Sequence, residues 1–495
     1  MAGRSRLLSN TAWNVAGQLA PLVVGVLTLP LLIRLVGLDR FGFITLVWVL
    51  VGYASIFDFG IGRALVRTVA AHLAAGDTPR AQASAHAALF FLTLFGLALA
   101  ALLAPASAWL VNSALHLPPE LVPEAVPATM LLAASLPFVM LTTGFGGLLS
   151  AHQHFKALNL IRIALGVAGY LGPVLVAMWS SRLDVVVAVV LALRVLGTLA
   201  HALVCARQCA WRLRLHLPTA EATRELFRLG GWIAVSNIIG PVLSYLDRLL
   251  LGVLVPMRAV AIYATPYDVV SKSMMIPAAI IATLFPLASG VDRGSAQAQS
   301  LMGNSVRVLF VLMVPVIFLF VVLARPGLEL WLGHEIAEQG ATVMQILAVG
   351  VLLNALAQGP AMLIQAAGEP RWMAKLHMVE LPLFIAILWL LTSRFGIVGT
   401  AFAAFLRNAI DAAVVFWLAY RWVTFSKMDW QAALPPALLA AALLAAGAWP
   451  STWAQALPVA VVGVVAFSAY AWTRLLSPLE RTQLLGLRRA GLGPR

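Results

Sequence analysis

Long apolar runs separated by short polar breakers set the pattern of this chain. The runs fall near 10–34, 41–63, 85–111, 125–150, 159–180, 184–208, 229–251, 259–288, 302–324, 341–366, 374–393, 397–421, 433–449 and 455–475. Each is close to the roughly 20 apolar residues that a helix needs to cross hydrocarbon. The expected fold is therefore an all-α polytopic membrane protein of about 14 transmembrane helices. The connections are short; the longest are Arg63–Ser84, Cys209–Arg228 and Arg325–Gly340, too small for a soluble domain. A weak internal repeat divides the runs. Leu35–Thr45 joins runs one and two as Leu254–Ala264 joins runs seven and eight, and the preceding run in each case opens on Ala12-Trp13 or Gly231-Trp232 and later holds Pro21 or Pro241. Repeated halves are a transporter signature. They predict a six-helix bundle over 1–210, a cytoplasmic linker over 211–228 and a second six-helix bundle over 229–425. An extra transmembrane pair over 426–475 and a basic cytoplasmic tail over 476–495 complete the expected plan.

Composition agrees with that pattern. Hydrophobic residues make up 62% of the 495, charged residues 11%, and the mean hydropathy is +0.94. Such a chain has too little polar surface to cover a water-soluble globule. The net charge of +14 does not indicate nucleic acid, because no soluble module carries it. With a cytoplasmic N-terminus, 23 Lys and Arg fall in inside segments and six in outside loops, with four within the runs. That is the positive-inside bias, and it predicts an even number of crossings with both termini cytoplasmic. Met1–Leu8 shows no signal-cleavage pattern, so the first run is expected to be retained. Cys205 and Cys209, four residues apart on one run, are poorly placed for a disulfide and read as small core residues.

Polar residues inside the runs change the picture most. An ionisable group at the centre of a span costs about 2.5–3.5 kcal/mol on insertion scales, yet several are kept. Asn237, Ser244, Asp247 and Arg248 fall near one face of run seven, at offsets of 7, 10 and 11. Asp268 and Lys272 are four apart on run eight, and Arg407 and Asp411 are four apart on run twelve beside Asn408. Two readings stand. Pairs at i,i+4 neutralise each other within one helix, or a hydrated cavity between halves presents cations to an anionic head group. Glu380 and Arg194 have no same-helix partner at that spacing and are expected to make interhelical contacts. Run one carries a stripe of Asn10, Asn14, Gly17, Gln18, Pro21, Gly25 and Thr28. The small members fit a helix seam; the Asn and Gln residues favour water, and a cavity-lining face is expected.

The stretch Phe57-Asp58-Phe59-Gly60-Ile61-Gly62-Arg63-Ala64-Leu65-Val66-Arg67 closes run two. It places Asp58 about a turn from water, with Gly60 and Gly62 thinning the helix beside it. Arg63–Arg80 reads as an amphipathic cytoplasmic helix whose Arg63 and Arg67 grip phosphates at the interface, Asp58 satisfying one of them. Catalytic apparatus is not found: there is no Walker A loop, no H-E-x-x-H and no metal-ligand cluster. No enzyme activity, cofactor or resident metal is expected.

The hairpin from Leu31 to Arg67, with its Val-Gly step, Phe-Gly-Phe and the closing Phe57–Arg67 motif, resembles the first hairpin of bacterial polysaccharide transporters. These are the oligosaccharide flippases of the multidrug/oligosaccharidyl-lipid/polysaccharide exporter superfamily. The second-half junction at Val255–Tyr263 and the two-times-six plan extend the likeness to about residue 425, and the last two runs resemble the extra pair of peptidoglycan lipid flippases. The resemblance implies movement of an undecaprenyl-diphosphate-linked oligosaccharide from the cytoplasmic to the periplasmic leaflet of a bacterial inner membrane. On that reading Asn14, Gln18, Asn237, Arg248, Lys272 and Arg407 line the substrate cavity, the cations offsetting diphosphate desolvation. Asp58, Asp247, Asp268, Glu380 and Asp411 are candidates for ion coupling or gating by a transmembrane H⁺ or Na⁺ gradient. Partners are the lipid-linked glycan, the bilayer and other polysaccharide-assembly membrane proteins. The alternatives are a cation-coupled multidrug exporter of the same fold and a membrane glycosyltransferase or polymerase.

Overall fold

The computed structural model describes residues 2–54, 58–209, 211, 217–425, 430–478 and 480–482; within these, the side chains of 2–16, 18–19, 53–54, 229–241, 244–245, 370 and 430 lie outside the description. The described residues are almost wholly helical and contain no strand. In order, the helices are α1 (Ala2–Val36), α2 (Leu38–Ala54), α3 (Ile61–Ala74), α4 (Thr78–Trp109), α5 (Val122–Ala151), α6 (Phe155–Ala177), α7 (Leu183–Gln208) and α8 (Ala220–Leu254). They continue as α9 (Met257–Lys272), α10 (Met275–Ala288), α11 (Ala296–Val322), α12 (Ala324–Leu332), α13 (His334–Ala366), α14 (Pro370–Ala419), α15 (Trp430–Gly447) and α16 (Trp453–Tyr470). Among the described residues nine helices are long and apolar enough to cross a membrane, and Ala20–Val36 and Gln431–Gly447 are shorter apolar helices. Leu27, Leu102 and Val379 are 72%, 70% and 70% exposed. In water such surfaces would drive aggregation, whereas in lipid they meet their own kind.

The chain forms two compact units, Met1–Ala261 and Ile262–Arg495. In the first, α5 packs against α3, α4 and α7, and α1 lies along α6. Gly96 brings α4 onto α5: a Cβ there would fall 2.5 Å from Pro137 Cα. The same device corrects part of the reading of run one. A Cβ on Gly17 would fall 2.5 Å from Asn159 Oδ1, one on Gly25 2.9 Å from the Tyr170 ring, and one on Gly166 of α6 2.5 Å from Pro21. The small members of the stripe thus form a tight α1–α6 seam instead of lining a cavity, because close backbone approach gains more dispersion than any side chain in their place could. Asn14 and Gln18 of the same stripe lie outside the described side chains.

In the second unit α13 is central, packed against α10, α11, α12 and α14. One expected continuous element is broken: run eight is interrupted at Ser273–Met274, so α9 and α10 are separate helices, and the connection after run nine holds the short helix α12. The 50 residues of α14 fold back at Gly396, with φ 57° and ψ −138°, between the two runs 374–393 and 397–421. Thr392 Oγ1 lies 2.9 Å from Thr400 Oγ1, and a Cβ on Gly399 would fall 2.0 Å from the Leu391 carbonyl oxygen. Arg407 reaches both Phe384, 5.4 Å from its ring centroid, and Glu380 at 3.6 Å. In a straight helix Glu380 and Arg407 would stand about 40 Å apart at about 1.5 Å per residue. The two limbs are therefore an antiparallel hairpin. Only glycine enters the Gly396 conformation without strain.

Ion pairs between loops test the alternation of sides within each unit. Arg40 binds Glu124 at 2.9–3.0 Å, and Glu124 also accepts the Leu183 N–H, so three segments assigned to the outside converge. His72 meets Glu225 at 3.1 Å and Arg80 meets Glu221 at 3.6 Å, joining two inside segments. Arg293 and Arg371, both assigned inside, converge on Glu369 at 3.0 and 2.6 Å, and Arg307 reaches Glu480 at 2.7 Å. Arg371 first, and then Arg293, hold the Glu369 carboxyl below the usual carboxylate range. That clamp is present at neutral pH and lost as pH falls through the depressed value.

Helices α15 and α16 dock on α11. The contact is a knob and socket: Phe318 is 1% exposed, and Cβ atoms on Gly447 and Gly463 would fall 3.0 and 2.3 Å from it. Gly463→Val should push the pair off Phe318 at a cost of about 1–3 kcal/mol. Protease nicking after residue 425 and thermal melting in detergent read this out; an unchanged melt and unchanged nicking contradict the socket.

Candidate functional site

The motif that closes run two is a helix cap. Helix α2 is described to Ala54, and Asp58 opens a turn in which Phe59 and Gly60 have φ 49° and 76°. Asp58 Oδ1 accepts the Gly60 N–H at 2.7 Å and Oδ2 accepts the Gly62 N–H at 3.2 Å. The carboxylate thus satisfies two open N–H groups at the start of α3 and complements its dipole. Gly62 is required beside it, since a Cβ there would fall 2.7 Å from Asp58 Oδ2. The expectation of one span running to residue 63 is corrected: the helix is interrupted because this carboxylate starts a new one. Helix α3 then buries Ile61, Ala64, Leu65, Thr68 and Val69 against α4 and α5, and leaves Arg63 and Arg67 exposed. Those spacings are one helical face, as the amphipathic reading of Arg63–Arg80 requires.

The charged residues of α8 and α9 are placed differently from one another. Asp247 and Arg248 are 3% and 4% exposed, and Asp247 Oδ1 accepts the Arg248 N–H at 2.8 Å. Asp268 is half-buried and Lys272 exposed at the end of α9, where Tyr263 and Tyr267 stack with centroids 6.1 Å apart. Asn237, and with it Ser244, lies outside the described side chains.

The densest polar set is inside the α14 hairpin and against α13. The guanidinium of Arg407 lies 3.6 Å from Glu380 Oε1 and donates to Asn408 Oδ1 at 2.8 Å. Asp411 Oδ1 faces His377 Nε2 at 3.9 Å. Asn354 of α13 donates to Asn408 Oδ1 at 3.5 Å and accepts from Gln358 at 3.3 Å. Gly350 admits this approach, a Cβ there lying 3.2 Å from both Phe405 Cα and Asn408 Nδ2. The expected contact of Glu380 with another helical segment is present, and its partner is Arg407. Among the described residues His377, Glu380 and Asp411 are the one group of three His, Cys, Asp or Glu side chains whose ligand atoms all lie within 4.8 Å of one another. His377 was missed by sequence reasoning. The signal for it is the turn: Glu380 lies 16 residues before Gly396 and Asp411 15 after it, so a hairpin brings their neighbourhoods together.

Nine described helices long and apolar enough to cross a membrane, with charged side chains kept within them, define a multi-span membrane protein. Residues 7–292 match the family described as polysaccharide biosynthesis protein, and the chain belongs to that family. It is 29% identical over 424 residues to the putative O-antigen transporter of Shigella flexneri, covering 84% of this chain and 98% of that protein. Over 202 residues it is 26% identical to a probable low-salt glycan biosynthesis flippase of Haloferax volcanii, covering 40% and 43% of the two chains. Among solved structures its fold is similar to the lipid II flippase MurJ in an inward closed conformation, with a TM-score of 0.71, 11% identity, and 93% and 99% of the chains covered. It is also similar to an inward-facing multidrug resistance MATE family transporter, with a TM-score of 0.63, 14% identity, and 83% and 94% covered.

The capping role of Asp58 generates a test. Asp58→Ala should lose about 1–3 kcal/mol, because the two buried N–H groups that it caps are left without an acceptor, while Asp58→Asn keeps one acceptor and loses less. Melting temperatures of the purified variants check this; equal melts for Asp58→Ala and the parent contradict the cap.

Proposed function

We propose that this chain is a flippase that carries an undecaprenyl-diphosphate-linked oligosaccharide from the cytoplasmic to the periplasmic leaflet by alternating access. In this reading it is a non-enzymatic, ion-coupled transporter of a bacterial inner membrane with both termini in the cytoplasm, and it works beside other polysaccharide-assembly membrane proteins. Family membership and a transporter relative matched over 98% of its length support the class of cargo. The observation that carries the chemistry is the retention of Arg248, Lys272 and Arg407 in helices where apolar residues would insert more readily. A diphosphate cannot cross hydrocarbon bare, and guanidinium and ammonium groups are the natural replacements for its water.

The remaining site residues take roles that follow from this. Asn14, Gln18 and Asn237 offer hydrogen bonds to sugar hydroxyls. Arg63 and Arg67, exposed on α3, meet phosphates at the membrane surface. Of the carboxylates, Asp247, Asp268, Glu380 and Asp411 are the ion-coupling candidates, together with Asp58 in addition to its cap. The driving gradient is H⁺ or Na⁺.

Arg248→Ala and Lys272→Ala should each lower export of surface glycan at least about tenfold, the equivalent of about 1.4 kcal/mol, at unchanged protein level. Lys427→Ala, in the inside basic set, should change it little. Leaflet transfer of a lipid-diphosphate-linked glycan in proteoliposomes is the direct measurement; full transfer by both cavity variants overturns the reading.

A further inference from the structure

The α14 hairpin carries an electrostatic imbalance that its own residues do not resolve. With His377 neutral, Glu380, Asp411 and Arg407 sum to one uncompensated negative charge. Glu380 and Asp411 are 6% and 9% exposed. Glu380 Oε1 and Asp411 Oδ1, the very atoms turned toward Arg407 and His377, accept no hydrogen bond. Buried carboxylate oxygens of this kind are costly, and more so in a helix that crosses hydrocarbon. Among the described elements packed against α14, none places a further charge against them. Helix α13 carries no titratable side chain from 341 to 366; it offers Asn354 and Gln358. The helical turn Tyr420–Thr424 that follows α14 offers Arg421, which is exposed and lies over Trp422. Lys375, on the first limb, is likewise exposed and lies over Trp372.

One positive charge is missing, and the groups around the gap decide its kind. A divalent ion would overshoot the balance beside Arg407. Sodium takes hard oxygen ligands, and here one of the three groups is an imidazole, whose natural partner near neutral pH is a proton. We propose that His377, Glu380 and Asp411 form a single-proton site, with Arg407 as its fixed counter-charge. The proton is shared among His377 and the two carboxylates, with His377 Nε2 and Asp411 Oδ1 3.9 Å apart. When it leaves, the hairpin regains its negative charge and draws Arg407 more firmly between the two carboxylates. When it arrives, Arg407 is freed to face an anion. As a coupling device this deepens the flippase reading and rests on it; as a proton site it stands on the geometry alone.

The test has two separable arms. In the first, the full chain in lipid nanodiscs is titrated potentiometrically between pH 8 and 5, roughly the range of a histidine. His377→Gln and Asp411→Asn should each remove about one proton of uptake per chain, and the double variant no more than either alone, because one site is shared. Glu380→Gln gives the same result by a different residue should one variant fail to fold. Loss of two protons in the double variant, no loss in any single one, or displacement of the step when potassium is replaced by sodium overturns the proposal. In the second arm, proteoliposomes carrying a lipid-diphosphate-linked glycan are given a pH gradient. The parent should accumulate glycan and His377→Gln should only equilibrate it. Parent transfer indifferent to the gradient overturns the coupling role. A parent that moves no glycan defeats the flippase reading instead, and leaves the titration to judge the proton site.

Discussion

A charge taken into hydrocarbon must find its opposite or find water, and the second half of this protein is built around that requirement. Gly396 turns what would be an overlong helix back on itself, and the reversal lets Arg407 meet Glu380 and His377 meet Asp411 at 3.6 and 3.9 Å. Asn408, Asn354 and Gln358 extend the set into α13 through ordinary amide hydrogen bonds. Without the turn Glu380 would lose Arg407 and His377 would lose Asp411. The fold therefore depends on a glycine whose own side chain contributes nothing.

Much of the architecture was legible because the bilayer simplifies the problem: apolar run length and Lys/Arg asymmetry report helices and sides almost directly. The loop-to-loop ion pairs, such as Arg293–Glu369 and Arg40–Glu124, join segments that the charge bias puts on one side. The internal breaks were harder. Residues 41–63 and 259–288 are continuous in hydropathy but not in backbone, because a capping carboxylate at Asp58 and a turn at Ser273 leave no mark on an apolar average. The stripe on α1 shows the limit from another side. Gly17, Pro21 and Gly25 pack as a dry seam against Asn159, Gly166 and Tyr170, while the Asn and Gln residues on the same stripe are what led to the expectation of a wet face.

The candidate site was half visible. Arg407, Asp411 and Glu380 stand out as ions in apolar runs, and the spacing of four between the first two points to a bond along one helix. The hairpin supplies partners across the turn instead. His377 carries no signal in its own run, since one histidine near a span boundary is unremarked until a fold-back places it opposite a carboxylate. Asp58 shows the converse: a carboxylate in a strong motif, with a complete local explanation in the two backbone N–H groups it accepts.

The seat of Phe318 between Gly447 and Gly463 has a consequence for how the last two helices are held. The ring is seated within a wider apolar contact of Val322, Leu443, Leu444, Ala456 and Ala460, so the pair is held to α11 by shape as much as by area, and its tilt against α11 is fixed where two bare backbones meet one flat ring.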